Sequence, residues 1–228
     1  MSFEKEEQTV DIVYKDKSII VCIKPAGIAC ESADRTNCMP ELLARSLGNE
    51  GAYVGLVHRL DTVTEGLMLF SADQSVTGKL SQAIAERDTE KEYLAIVHGC
   101  PENPCGEMKD LLFRDSRKNK SYAVDRARKG VKEAVLSYKL LSTKESVYGT
   151  LSLVRVKLET GRTHQIRVQF ASRKMPLLGD GKYGSADNYP RVALFATKLS
   201  FTHPKSGKRM EFERSPSGAP WNMFNDIT

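Results

Sequence analysis

Three polar residues of complementary chemistry, His58, Arg59 and Asp61, lie between two short apolar runs of the sequence. The runs, residues 54–57 and 67–70, have the length and composition of buried strands, so the polar residues are expected on the connection between them. An ionised carboxylate such as that of Asp61 is a natural nucleophile. The same residues also fit a simple salt-bridged turn, in which Asp61 caps the turn or pairs with Arg59.

Two further places carry residues that could do chemistry. Tyr93 lies in the strand predicted for residues 91–99, where a tyrosine usually packs with its hydroxyl tethered. Arg162, His164 and Arg167 follow each other closely and could begin a helix that faces solvent. A zinc site is not expected there, because this segment has a single histidine and His58 lies about a hundred residues earlier, a separation that is not typical of zinc ligands.

The motifs around these residues resemble those of one enzyme family, the RluA-type pseudouridine synthases. His58-Arg59-Leu60-Asp61, with Thr64 and Gly66, is similar to the family signature H-R-L-D-x-x-T-S-G. The family patterns K-x-Y-x-A-x-V-x-G, T-G-R-x-H-Q-I/L-R-V-H, P-I/L-x-G-D-x-x-Y-G and L-H-A-x-x-L-x-F-x-H-P are matched, in that order, from residues 91, 160, 176 and 194. The opening Lys24-Pro25-Ala26-Gly27 also resembles the start of the family's catalytic domain, and the resemblance covers residues 11–213.

The resemblance implies that the protein isomerises uridine in RNA to pseudouridine without a cofactor or a metal. Asp61 would attack the ribose C1′ or take part in forming a glycal, and Arg167 would pair with it and keep it charged. Tyr93 would stack on the base and assist proton transfer. The target base would be flipped out of its helix, and Arg59 would fill the space that it leaves.

The charge of the chain is distributed unevenly, as expected for a protein that binds a polyanion. The net charge is +5, but residues 114–132 hold eight basic and two acidic residues, and residues 155–182 hold seven basic and two acidic residues. Two solvated basic loops are the alternative explanation. The residues predicted to contact RNA are His58, Arg59, Thr64, Gly66, Arg126, Arg128, Lys129, Arg162, His164, Gln165, Ile166 and Lys182.

Three positions depart from the family patterns: Glu65 replaces Ser, Gln169 replaces His and Phe195 replaces His. None of them removes a proposed catalytic group. Glu65 adds negative charge near an RNA site, so the departures bear on the choice of substrate more than on the reaction.

The predicted fold class is α+β, with a mixed, mainly antiparallel central sheet flanked by helices and loops, and with the active-site cleft across the sheet. An opening hairpin is predicted at residues 11–14 and 18–23, and later strands at 91–99, 133–141 and 149–159. Helices are predicted at residues 40–48 and from Asp73 or Ser75 to about Arg87. Residues 101–132 are predicted to form loops with a short hairpin between 111 and 124. The whole chain is predicted to be a single catalytic domain with a core at 11–213 and loose tails at 1–10 and 215–228.

Composition limits the other possibilities. The five cysteines are odd in number and form no C-x-x-C pair, and no apolar run is long enough to span a membrane, so a cytoplasmic monomer is expected. Ribosomal RNA and transfer RNA are both open as substrates. Two other functions stay open: a catalytically silent RNA-binding protein or RNA chaperone on the same scaffold, and a glycosylase that uses Asp61 but releases the base.

Overall fold

A computed structural model describes residues 9–33, 36–86 and 88–224 of the chain. The strands are β1 (Asp11–Lys15), β2 (Ile19–Lys24), β3 (Gly55–Leu56), β4 (Glu65–Ser71), β5 (Glu90–His98), β6 (Cys105–Asp115), β7 (Lys120–Val124), β8 (Val131–Ser146), β9 (Gly149–Leu158), β10 (Leu194–Thr202) and β11 (Arg209–Glu213). The helices are α1 (Met39–Ser46), α2 (Gln74–Ala85) and α3 (Gln165–Ser172), and short 3-10 turns lie at Gly181–Tyr183 and Trp221–Met223.

The chain forms two compact units. Unit 1 is made from residues 1–89 together with 201–210, and unit 2 from residues 90–200 together with 211–228, in each case as far as these are described. The single catalytic domain expected from the sequence therefore stays a prediction.

The sheet of unit 1 grows from the apolar run at residues 19–23, which becomes β2. This strand pairs antiparallel with β1 on one side and with β4 on the other. Asp16 shapes the turn before it, because its carboxylate accepts hydrogen bonds from the backbone N–H groups of Ser18 (2.7 Å) and Ile19 (2.9 Å). The strand ends at Lys24, one residue beyond the predicted end, and Pro25 directly after it has no N–H to continue the ladder.

Both helices of unit 1 lie where the sequence predicts them. α1 has Pro40 in its first turn and buries Leu42 and Leu43. The carboxylate of Asp73 caps α2 by accepting a hydrogen bond from the Ser75 backbone N–H at 2.9 Å. The predicted end of this helix at Arg87 lies outside the described residues.

The strands of unit 2 follow the order β10-β5-β9-β8-β6-β7, and each neighbouring pair is antiparallel. α3 contacts β6 and β7, where Leu112, Ala134, Val168 and Tyr183 form a buried cluster. The predicted α+β class with a mainly antiparallel sheet is confirmed.

Three boundaries in unit 2 differ from the prediction. β6 begins at Cys105 rather than at residue 111, and β8 continues to Ser146, so the connection to β9 is only residues 147–148. The polar residues on the less buried face of each strand make the alternation of apolar and polar residues hard to recognise in the sequence.

The loose tail predicted from residue 215 was wrong for Trp221 and Phe224, which are buried, and the Trp221 ring packs edge-on against Phe195 at 6.4 Å between centroids. Residues 1–8 and 225–228 lie outside the described part.

In the described residues, no helix has both the length and the apolar character needed to cross a membrane.

Candidate functional site

The polar motif around Asp61 lies on the connection between β3 and β4, as the sequence predicts. Asp61 and His58 are half-buried, whereas Arg59 is exposed. Thr64 is buried, and Gly66 sits within β4 at a φ of 119°, a backbone conformation that favours glycine. The carboxylate of Asp61 is therefore presented on a short loop between two strands of the unit 1 sheet.

A buried lysine holds the backbone of this loop. The ammonium group of Lys24, whose side chain is fully buried, donates hydrogen bonds to the carbonyl oxygens of Pro25 (2.8 Å), Thr62 (3.1 Å) and Thr64 (2.9 Å). An ammonium has three N–H donors, and all three find acceptors here. Since Thr62 and Thr64 both follow Asp61 closely, Lys24 fixes the course of the chain directly after the carboxylate.

Cys30 and His58 fix the chain just before Asp61. The Cys30 thiol donates to the Leu60 carbonyl oxygen at 3.1 Å, and its sulfur accepts from the Leu60 N–H at 3.3 Å. The Nε2 atom of His58 accepts a hydrogen bond from the Leu69 N–H at 3.0 Å. His58 thus has a structural role in unit 1, besides its predicted contact with RNA.

Charged side chains of both signs lie on or near the loop. Burial lowers the pKa of Lys24 to about 8, and the negative charges of Asp61 and Glu65 act against that shift. Glu65, which departs from the family pattern, therefore helps to keep the buried lysine charged. Arg59 forms an exposed ion pair with Glu31 at 2.8 Å.

Arg167 lies on α3 in unit 2 and forms a bidentate ion pair with Asp180. Its Nε and Nη2 atoms donate to the two carboxylate oxygens at 2.7 and 2.8 Å, and both side chains are buried. The guanidinium carbon lies 5.1 Å from the centroid of the Tyr183 ring. A bidentate pair of this kind fixes the plane of the guanidinium as well as its position.

Tyr183 links this arginine to the start of α3. Its hydroxyl is 2.8 Å from Nδ1 of His164 and accepts a hydrogen bond from the Ser121 N–H at 2.9 Å. His164 precedes the helix in the left-handed conformation, at a φ of 56°. The structure thus brings the predicted site residues His164 and Arg167 together around Tyr183.

The neighbouring predicted RNA contacts also make contacts within unit 2. Gln165 is buried, its amide nitrogen donates to the Val135 carbonyl (3.0 Å), and its amide oxygen accepts from Thr160 (2.8 Å). Ile166 is also buried, and Nε of Arg162 donates to the Glu133 carbonyl oxygen at 2.8 Å. The amide group of Gln165 is thus occupied by hydrogen bonds within unit 2, and the contacts of Gln165 and Ile166 with RNA stay a prediction.

Tyr93 lies on an interior strand of the unit 2 sheet. It is buried on β5, opposite Val156 of β9 and Ala196 of β10. Both neighbouring strands hold its backbone, so the ring is carried on a rigid element.

The remaining basic candidates are exposed. Arg126, Arg128 and Lys129 lie in the segment between β7 and β8, and the Arg128 guanidinium carbon lies 4.9 Å from the centroid of the Phe113 ring. Lys182 is exposed, and its ammonium donates to the Asn119 carbonyl at 2.9 Å.

Four residues that support the site were not predicted to do so: Lys24, Cys30, Asp180 and Tyr183. Three of them lie in motifs that resemble the family's, Lys24 in the segment that ends β2 and the other two in the G-D-x-x-Y-G motif. A lysine at the end of a wholly apolar strand was the usable signal, since lysine is almost never fully buried unless its charge is satisfied. Cys30 gave no such signal. Within the described ranges, no group of three or more His, Cys, Asp or Glu side chains is placed to hold a metal ion.

Comparison with known sequences gives one consistent result. A family model described as RNA pseudouridylate synthase matches residues 18–172. The chain is 34% identical to a protein named ribosomal large subunit pseudouridine synthase D from Neisseria meningitidis serogroup B, over 93% of this chain and 60% of that protein. It is 32% identical to a protein named ribosomal large subunit pseudouridine synthase C from Rickettsia bellii, over 93% of this chain and 70% of that protein. The chain spans only about 60% of the length of the first of these relatives.

Comparison with solved structures agrees at the level of the fold. The chain superposes on human RNA pseudouridylate synthase domain containing 1 with a TM-score of 0.77 and 22% identity, over 95% of this chain and 86% of that one. The human domain-containing-4 protein gives a TM-score of 0.74 at 22% identity, over 91% of this chain and 88% of that one.

Proposed function

The chain belongs to the RNA pseudouridylate synthase family, and from that premise we propose that it isomerises uridines in RNA to pseudouridine. The observation that carries the proposal is the fixed presentation of Asp61. Its loop is tied down on one side by Cys30 and on the other by the buried ammonium of Lys24. A nucleophile held on a rigid loop loses little entropy when it reacts, which is how positioning lowers a barrier.

The reaction begins at the glycosidic bond. Either the Asp61 carboxylate attacks C1′ as the C1′–N1 bond breaks, or it takes a proton from the sugar to form a glycal, and in both routes the uracil leaves with the bonding electrons. The base then turns, and a new bond forms between C5 and C1′. In the first route C5 displaces the Asp61 carboxylate from C1′, and in the glycal route C5 adds to C1′ as C2′ takes its proton back from Asp61. The proton carried by C5 is finally lost and N1 gains one, so no atom, electron or cofactor is consumed.

Two residues of unit 2 also have proposed catalytic roles. Tyr93 would stack on the target base and assist the proton transfer from C5, since its ring is carried on a strand that is paired on both sides. Arg167 would supply the positive charge that keeps a carboxylate ionised, and its bidentate pairing with Asp180 fixes the direction of its remaining donors.

RNA of the large ribosomal subunit is the substrate that we propose to test first. Several relatives carry that substrate in their names, and they match nearly all of this chain. The exposed cations Arg126, Arg128 and Lys129 would contact phosphates. A cytoplasmic, monomeric protein is part of the same proposal.

The first prediction concerns the nucleophile. Asp61→Asn keeps the shape of the side chain but removes its charge, so pseudouridine formation should be lost while RNA binding changes little. The measurement is pseudouridine mapping of large-subunit RNA after incubation with each purified protein. Glu102→Gln, which removes an exposed carboxylate elsewhere, is the matched control.

The same experiment separates the three functions that the sequence leaves open. An RNA-binding protein without activity would leave every uridine unchanged with the wild-type chain as well. A glycosylase would leave abasic sites in place of pseudouridine. Substantial turnover by Asp61→Asn would remove Asp61 as the nucleophile.

A further inference from the structure

One face of the three-stranded sheet β7-β6-β8 is open. Its side chains are Lys109, Leu111 and Phe113 on β6, Tyr122 and Val124 on β7, and Val131, Glu133 and Val135 on β8, and we call them the open face. The registers β6–β7 and β6–β8 contain no bulge, so Phe113 lies directly opposite Tyr122 and next to Val131. Each of these side chains is half-buried or exposed.

The opposite face of the same strands differs sharply. Met108, Leu112, Ser121, Ala134 and Leu136 are buried there. Leu112 and Ala134 pack with Val168 of α3. Because successive side chains of a strand point to opposite faces, the packing within unit 2 accounts for one face of these strands and not for the other.

The open face combines an accessible aromatic ring with positive charge. Tyr122 is 36% exposed, and its hydroxyl makes no hydrogen bond within the described chain. The Lys120 ammonium lies 5.7 Å from the centroid of that ring, and Arg128 stacks on the neighbouring Phe113 at 4.9 Å.

The segment that borders the face carries a surplus of positive charge. Arg126, Arg128 and Lys129 form no ion pair with any described carboxylate, in contrast to Arg155, Arg173 and Lys198, which are all paired. Unpaired cations beside an aromatic and aliphatic surface suit a partner that has negative charge and flat apolar rings at once. A nucleic acid has both, whereas an acidic peptide would lack the rings along its length.

We propose that the open face binds an unpaired segment of the RNA substrate, with a base stacked on Tyr122 and the adjoining phosphates against Arg126 and Lys129. This inference rests on the proposed function in that RNA is the substrate, and it goes beyond it by naming the surface and the state of the RNA. Paired bases already stack on each other, and a duplex offers its backbone and grooves but not its base faces. The open face therefore distinguishes single-stranded RNA from duplex RNA.

The experiment measures binding of two RNAs that contain no reactive uridine. One is a labelled twelve-nucleotide oligocytidylate, and the other is a twelve-base-pair duplex of cytidine and guanosine, both followed by fluorescence anisotropy with the full chain. Stacking of one base is worth about 1–3 kcal/mol, which corresponds to about a 5- to 150-fold change in Kd. Tyr122→Ala should weaken binding of the single strand by at least fivefold and binding of the duplex by less than twofold.

Matched variants test whether the ring itself is responsible. Tyr122→Phe keeps the ring and should bind the single strand within twofold of the wild type. Tyr122→Thr keeps the preference for a strand, should behave like the alanine variant, and guards against misfolding of β7. Tyr53→Ala, which removes a tyrosine of unit 1 that is 41% exposed, should bind both RNAs normally.

Variants of the cations should distinguish the contribution of charge to RNA binding from the contribution of stacking. Arg126→Gln combined with Lys129→Gln should weaken binding of both RNAs and reduce the slope of log Kd against log salt by about 0.7–0.9 for each phosphate that the variant no longer neutralises. Equal losses for the two RNAs in Tyr122→Ala, or a loss in Tyr122→Phe as large as in the alanine variant, would overturn the proposal. So would a single-strand Kd for Tyr122→Ala that stays within twofold of the wild type.

The outcome is independent of catalysis. If large-subunit RNA gains pseudouridine but Tyr122→Ala binds oligocytidylate normally, the proposed function stands and this surface does not. If Tyr122→Ala loses single-strand binding but no pseudouridine forms in any RNA, the surface stands on an RNA-binding protein without that activity.

Discussion

At the scale of single residues, the proposed catalytic residue Arg167 is held by a buried partner of opposite charge. Arg167 forms a bidentate ion pair with Asp180, and both side chains are buried. A buried ion pair contributes little net stability, but removing one partner leaves an uncompensated charge. The loss of unfolding free energy after such a change therefore shows how strongly the remaining charged residue depends on its partner.

Replacing Asp180 by Asn should lower both stability and activity. Asn can accept only one of the two hydrogen bonds, so we expect the free energy of unfolding to fall by about 2–4 kcal/mol. The single-turnover rate should fall by at least tenfold with a smaller change in RNA affinity, because Arg167 keeps its charge but not its orientation. Arg173→Gln, which breaks a half-buried pair with Asp110 just beyond α3, is the control and should leave the rate within about twofold. A stability loss with no change in rate would show that Asp180 serves the fold alone.

At the scale of elements, the connection between β3 and β4 acts as a clamped unit. Its conformation depends on a lysine from β2 and a cysteine from the segment after β2, both distant from it in sequence. An ordinary loop of this length would be expected to move more than the strands that it joins.

Replacing Lys24 by Met should release this loop. Met fills similar space but leaves the carbonyls of Pro25, Thr62 and Thr64 without their donor, so we expect a loss of about 2–4 kcal/mol in unfolding free energy. Amide hydrogen exchange at Thr64, whose N–H donates to the Asp61 carbonyl at 3.0 Å, should become faster by at least tenfold. Lys15→Met, at an exposed position on β1, should leave that exchange unchanged. Unaltered protection of Thr64 in the Lys24 variant would mean that the ammonium does not hold the loop.

The sequence predicts the elements better than it predicts their supports. β2 and β4 were recognisable because both are continuous apolar runs, and α2 because Asp73 precedes its apolar positions. β8 was predicted too short, because its distal half carries Lys144 and Glu145 on an exposed hairpin. The hydrogen bonds from Lys24 to Thr62 and Thr64 could not be predicted. Every residue type has a backbone carbonyl that can accept a hydrogen bond, so the sequence does not show which carbonyls will do so.

At the scale of the whole molecule, unit 2 contains a carboxylate that ties several segments together. Asp187 accepts hydrogen bonds from the Ser185 hydroxyl, from the Gly179 and Tyr189 backbone N–H groups, and lies 2.8 Å from Nε2 of His98. Burial alone would raise its pKa, but these hydrogen bonds outweigh burial and lower the pKa to about 2. The serine, histidine and aspartate do not form a hydrolytic triad, because Ser185 and Asp187 both approach the same nitrogen of His98.

The depressed pKa of Asp187 predicts how stability depends on acid. In the unfolded chain this carboxyl titrates near pH 4, so its contribution is complete above that value and is lost as the pH falls from about 4 to 2. The loss should approach about 2 kcal/mol, measured by urea unfolding at a series of pH values. Asp187→Asn should be less stable at pH 7 and should show a correspondingly flatter decline between pH 4 and 2. Parallel curves for the two proteins would contradict this assignment.

Unit 1 is discontinuous in the chain, and this sets the order in which a ribosome can complete it. Asp16 pairs with His203 at 3.0 Å, Lys79 donates to the Pro204 carbonyl, and Asp73 pairs with Lys205. These partners leave the ribosome more than about a hundred residues after β4, which at 5–20 residues per second is a delay of roughly 6–25 s. During that interval the Asp61 loop is already synthesised while part of its unit is not. Newly made chains therefore pass through a period in which the reactive carboxylate exists before the unit that carries it is complete.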